Sequence, residues 1–81
     1  MKTPPVKVEM FWRDSAFHRG WSPMETKRKE MTVSVCRTTG YLVERTTRCI
    51  KLAHSVDLEA ESFADGIAIP AEAVVKVRRV R

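Results

Sequence analysis

The stretch MTVSVCRTTGYLVE, residues 31–44, contains the pattern that decides the fold class. Val33 and Val35 alternate there with Thr, Ser and Cys side chains, which is the period of two of a strand with one buried face. The sequence Thr-Thr-Gly interrupts this alternation, and the apolar run that begins at Tyr41 follows immediately. We therefore expect two strands that form a hairpin around Gly40, directly or through a bulge, with Val33 and Val35 facing the core.

A further strand and a short helical segment precede this stretch. Four apolar side chains share one face of that strand: Val6, Val8, Met10 and Trp12. Phe11 is the exception, because it falls on the polar face. Ser22 has the features of a helix cap, with Pro23 at the first helical position and Glu25 three residues after the cap. The residues that follow have no apolar stripe to bury, so we expect one helical turn at most.

Three more strands are predicted in the second half of the chain, at residues 49–54, 67–69 and 74–80. Ile50 and Leu52 share the inward face of the first of them. Residues 55–65 are mostly polar and are followed by glycine, so we expect a long loop there. One helical turn is expected at residues 70–73, since proline suits a first helical position and alanine has a high helix propensity.

The length of the chain, 81 residues, is that of a single domain, which we expect to span residues 1–81 with a flexible N-terminus at residues 1–5. Hydrophobic residues make up 43% of it and charged residues 31%, a balance that argues against intrinsic disorder. The sequence has no uncharged apolar run of about 18 residues and no apolar leader, so we expect a cytoplasmic protein that does not span a membrane.

The strand pattern as a whole predicts a mainly β fold. About five short strands with tight spacing suit a small twisted antiparallel barrel with one or two short helical turns, because closure removes exposed sheet edges. The runs that such barrels share are the following: GYLV at residues 40–43, IKLA at 50–53, GIAIP at 66–70 and VVKV at 74–77. They resemble the strands of Sm-like and Src-homology-3-like barrels, and also short uncharacterised proteins of phages and prophages. That resemblance implies a small barrel and a binding role as an accessory protein.

The residues that could carry chemistry do not form a recognisable catalytic or metal-binding motif. Cys36 and Cys49 lack the close pairing of zinc ligands, and we expect both to be free thiols. Either cysteine could be drawn with His54 and Asp57 as a nucleophilic set, but no signature surrounds them. The glycines are isolated, so there is no phosphate-binding loop. We therefore predict that the protein is not an enzyme and has no metal, cofactor or small-molecule substrate.

Binding to a macromolecule is the function that we predict, and two classes of partner compete. A protein partner or self-association is favoured by Phe17, Arg19 and Trp21, since two aromatics and an arginine of this loop cannot all be core and are typical of interface hot spots. The acidic loop from Asp57 to Asp65 could likewise recognise a basic partner or imitate the charge of nucleic acid.

Nucleic acid is the alternative partner. The formal net charge is +5, and basic side chains that neutralise phosphates supply sequence-independent affinity. The candidate contact residues occur in three groups along the chain: Lys27, Arg28 and Lys29; Arg45 and Arg48; Lys76 and Arg78.

Overall fold

Five strands in a single antiparallel sheet form most of the structure. A computed structural model describes residues 4–16 and 18–80. The strands are β1 (Lys7–Asp14), β2 (Ser34–Arg45), β3 (Cys49–Asp57), β4 (Ser62–Pro70) and β5 (Val74–Arg79). A helix α1 (Met24–Glu30) lies between β1 and β2, and a 3-10 turn (Ala71–Ala73) joins β4 to β5. The predicted mainly β class, the five antiparallel strands and the final helical turn are confirmed, although the two runs predicted as separate strands around Gly40 form the single strand β2.

The sheet is open within the part of the chain that the structure describes. Its strand order is β4-β3-β2-β1-β5, so β4 and β5 form its two outer edges. Each of them pairs with one other strand only, β4 with β3 and β5 with β1. The expected closure of the strands into a barrel is therefore not seen, and an edge strand keeps unpaired backbone groups on its outer side.

The core lies on one face of the sheet, where three strands contribute apolar side chains. It contains Val8 and Met10 from β1, Ile50 and Leu52 from β3, and Ile69 from β4. Trp12 packs against this cluster, and its indole Nε1 donates a hydrogen bond to Oγ1 of Thr38 at 3.0 Å. The faces predicted for β1 and β3 are thus confirmed.

The hairpin predicted around Gly40 is wrong, because β2 continues through this residue without a turn. Gly40 is paired with Val8 of β1, and it is buried. A Cβ atom at this position would lie only 2.8 Å from the carbonyl oxygen of Ala53. The glycine therefore allows two strands to approach closely, and it does not end a strand.

The face predicted for Val33 and Val35 is also wrong. Val35 pairs with Arg13 and is 64% exposed, while Val33 lies before β2 and is also exposed. The neighbouring Cys36 pairs instead with Trp12, whose side chain packs on the core. Because side chains alternate between the faces of a strand, the register with β1 places Val35 on the face away from the core.

Most of residues 55–65, which were predicted to form a polar loop, belong instead to the outer part of the β3–β4 hairpin. β3 and β4 stay paired as far as Asp57 and Ser62, and only residues 58–61 form the turn. The pairing of β2 with β3 ends at Tyr41 and Ala53, so no third strand of the described part of the chain pairs with residues 55–64. We call residues 55–64 the hairpin arm.

The helix is longer than the single turn that was predicted, and Ser22 is not its cap. It has seven residues, about two turns, and Pro23 occupies the capping position without a side-chain hydrogen bond. None of its residues is buried, in agreement with the absence of an apolar stripe in the sequence.

Candidate functional site

The connection between β1 and β2 contains the predicted protein-binding residues, of which the structure describes Arg19 and Trp21. Trp21 is fully exposed, and Arg19 is exposed beside it in the chain. Phe17 lies outside the described residues. A tryptophan at this position is therefore a surface residue and does not fill the core.

Further apolar side chains that sequence reasoning did not select are exposed in the same part of the chain. They are Met24 of α1, Met31 and Val33 after the helix, and Val35 of β2. Met24 and Met31 lie at the beginning and the end of a helix without an apolar stripe, so no periodic pattern in the sequence indicated that they are exposed together with Trp21. With Trp21 they make this end of the molecule unusually rich in exposed apolar surface.

Specific polar contacts hold the connection in place. The Nζ of Lys27 donates hydrogen bonds to the carbonyl oxygens of His18 and Arg19, both at 3.4 Å. The backbone N–H of Thr32 donates to Nε2 of His18 at 3.4 Å. Helix α1 is thus tied to the segment that carries Trp21, and Lys27 acts there as a structural contact.

The basic residues of the other hypothesis are distributed over the molecule, and two of them are paired with acids. Arg28 contacts Glu25 at 2.9 Å on the exposed surface of α1. Arg78 of β5 donates from its Nε at 2.7 Å to Glu9 of β1, whose side chain is mostly buried. Lys29 is exposed on α1. Lys27, Arg28 and Lys29 do not line the groove that residues of the other two groups share.

Two basic residues from distant parts of the sequence do come together. Arg45 and Lys76 line a single open groove between the β2–β3 turn and the beginning of β5. We call it the basic groove; its other lining residues are Thr46, Thr47, Ile50, Ala71, Val74, Val75 and Val77. Arg48 belongs to the same turn, and its carbonyl oxygen accepts a hydrogen bond from the N–H of Ala71 at 2.7 Å. This bond fixes the turn against the chain segment that leads into β5.

A third surface was not predicted from the sequence and lies along the β3–β4 hairpin. Val43, Phe63 and Ile67 are partly exposed around a shallow concavity, together with small side chains of β3 and β4. Val43 falls at an irregularity in the pairing of β2 with β3, which removes it from simple alternation.

Among residues 4–16 and 18–80, no three His, Cys, Asp or Glu side chains come together in a way that could hold a metal ion. Cys36 and Cys49 are half-buried free thiols. The pKa of Lys51 is raised by the hydrogen bond and the charge of Glu44, an interaction at 2.9 Å on the surface of the sheet.

Comparison with known proteins gives no functional assignment. The chain matches no described protein family, no curated protein and no solved structure. The described residues form no helix that is long and apolar enough to cross a membrane.

Proposed function

We propose that this protein is a non-enzymatic interaction module that binds another protein through the connection between β1 and β2. The observation that supports this proposal is the complete exposure of Trp21 next to Arg19. Tryptophan and arginine are the residue types most enriched at the centres of protein interfaces. Their apolar and hydrogen-bonding capacity is available here to a partner.

The surroundings of Trp21 suit a binding surface. Met24 and Met31 are also exposed, and methionine adapts its shape to a partner at little cost. The contacts of Lys27 with the backbone at His18 and Arg19 restrain the segment before binding. A restrained surface loses less conformational entropy on association, which favours affinity.

Nucleic-acid binding is the second candidate, and the basic groove is the observation that favours it. Arg45 and Lys76 could neutralise neighbouring phosphates there. Arg28 and Arg78 are already paired with acidic side chains, and Lys27 is engaged with backbone oxygens. These three basic residues already have partners within the chain and are less available to phosphates, which favours a protein partner over nucleic acid.

A binding experiment with variants separates the two candidates. Partners captured from cell extract by the immobilised protein are identified, purified and titrated against the wild type and Trp21→Ala. We expect Trp21→Ala to weaken binding about tenfold or more, while its thermal stability stays unchanged because the side chain makes no core contact. Glu72→Ala, an exposed change on the 3-10 turn, is the matched control and should bind like the wild type.

Two results would contradict the proposal. A purified partner that binds Trp21→Ala as tightly as the wild type excludes the β1–β2 connection as its binding surface. Tight binding of single-stranded or duplex oligonucleotides, with log affinity that falls linearly with log salt, supports the nucleic-acid alternative instead.

A further inference from the structure

The basic groove combines positive charge with an accessible apolar surface. Its Val75 is 50% exposed, and Ile50 lies buried beneath it as part of the core. Arg45 and Lys76 are both exposed at its sides. A ligand that fits such a groove presents one apolar side chain with negative charges close to it, so that both kinds of surface are used.

The tip of the hairpin arm has the complementary composition. It reads DLEAE at residues 57–61, and Leu58 there is 48% exposed although it is a large apolar residue. Glu59 is exposed and makes no ion pair within the described residues. Oδ1 of Asp57 accepts hydrogen bonds from the backbone N–H groups of Glu59 and Ala60, both at 3.1 Å, which holds the turn in one conformation.

We propose that the basic groove binds the hairpin-arm tip of a second copy of this chain. In this arrangement Leu58 of one copy covers Val75 of the other, and Glu59 lies near Arg45 and Lys76. The contact removes two exposed apolar side chains from water and pairs unlike charges at its edge, which steers the encounter. The contact uses a different surface from the β1–β2 connection, so it does not depend on the function proposed above.

The groove and the tip of one chain cannot meet each other. Ile50 lines the groove and Asp57 begins the tip, and both belong to the same strand, β3. They are seven residue steps apart along the extended chain, a distance of about 20 Å. Each copy therefore offers its tip to one neighbour and its groove to another, which produces a head-to-tail assembly that closes into a ring or grows as a filament.

The phosphate backbone of a nucleic acid is the competing occupant of the groove. It would use the charges of Arg45 and Lys76 but leave Val75 without an apolar partner. It would also give no role to the ordered acidic tip with its exposed Leu58. A second copy accounts for both surfaces at once.

Exchange of the charges provides the test. Analytical ultracentrifugation of the full chain at low and high salt is carried out on the wild type, on the double variant Arg45→Glu/Lys76→Glu, and on Glu59→Lys. We expect the wild type to self-associate at low salt, and each variant alone to associate at least about tenfold more weakly, because like charges then face each other. An equimolar mixture of the two variants restores association between one copy of each, because the unchanged tip of Arg45→Glu/Lys76→Glu then meets the unchanged groove of Glu59→Lys.

Three further variants separate this contact from general electrostatic effects and from the proposed function. Leu58→Ser changes no charge and should also weaken association, because it removes the apolar part of the tip. Lys29→Glu changes a charge on α1, away from both surfaces, and should associate like the wild type. Trp21→Ala should leave self-association unchanged, so failure of this proposal and failure of the proposed function give different results.

The proposal is overturned if the wild type stays monomeric at low salt and high concentration, or if mixing the two variants restores nothing. It is also overturned if a single-stranded oligonucleotide binds the wild type and Glu59→Lys equally but does not bind Arg45→Glu/Lys76→Glu. That pattern assigns the groove to nucleic acid.

Discussion

The carbonyl oxygen of Ala53 in β3 occupies the space that a side chain on Gly40 in β2 would need, with only 2.8 Å between that oxygen and a Cβ at position 40. Gly40→Ala must therefore push β2 and β3 apart beside the core residue Leu52, whose Cβ lies 3.4 Å away. We expect a loss of about 1–3 kcal/mol in the free energy of unfolding, as for other overpacked sites. Urea denaturation followed by circular dichroism measures it.

Gly66→Ala is the matched control for this prediction. A Cβ atom there would approach its nearest neighbour, the carbonyl oxygen of Leu52, at an ordinary contact distance of 3.5 Å. We expect its stability to stay within about 0.5 kcal/mol of the wild type. Equal losses in the two variants would show that the approach of Ala53 is not the cause.

Met10 is the most deeply buried large side chain, with no exposed surface. Met10→Ala leaves a cavity in the cluster formed by β1, β3 and β4 and should cost about 2–5 kcal/mol of stability. Met24→Ala removes the same atoms from an exposed position on α1 and should change stability by less than about 0.5 kcal/mol. A Met24→Ala loss as large as that of Met10→Ala would mean that α1 packs on the core.

The period of two in the sequence is enough to find the parts of the strands that border the core, because every second side chain is buried there. It also gives the correct inner face of β1, where Val8 and Met10 are buried. It fails at Gly40, since an isolated glycine is compatible with a turn and with a close approach between strands, and only the position of Ala53 decides between them.

The hairpin arm could not be predicted because its strands lie beyond the core. A two-stranded segment with solvent on both faces needs no apolar alternation, and its polar composition is that of a loop. Asp57 is the one clear sequence signal of the turn, because aspartate often accepts hydrogen bonds from backbone N–H groups in turns, and Oδ1 of Asp57 does so here.

The sequence identified the exposed Trp21 but not the basic groove. Arg45 and Lys76 are distant in the chain, and they meet because the N–H of Ala71 binds the carbonyl oxygen of Arg48 and directs β5 past the β2–β3 turn. Backbone contacts of this kind leave no pattern in the side chains.

Asp57 should control the stability of the hairpin arm. Asp57→Ala removes the acceptor for two backbone N–H groups at the turn, and we expect a loss of about 1 kcal/mol, with faster hydrogen exchange at Glu59 and Ala60. Asp57→Asn keeps an oxygen acceptor in the same place and should retain most of the protection. Slow exchange in Asp57→Ala would show that the turn is held by other contacts.

Lys51 and Glu44 provide a prediction about pH. The hydrogen bond from Lys51 to Glu44, together with the negative charge of Glu44, raises the pKa of Lys51 above its ordinary value of 10.5. A raised pKa in the folded state means that the pair stabilises the fold below pH 10.5 and that this contribution is lost as the pH rises through the folded-state pKa of Lys51. The pair lies on the solvent-exposed surface, so we expect its effect on stability to be small.

An NMR titration of the Lys51 side chain should give a midpoint above 10.5 in the wild type and a lower midpoint in Glu44→Gln, whereas Glu72→Gln leaves it unchanged. The same midpoint in the wild type and in Glu44→Gln would contradict the assignment of the shift to Glu44.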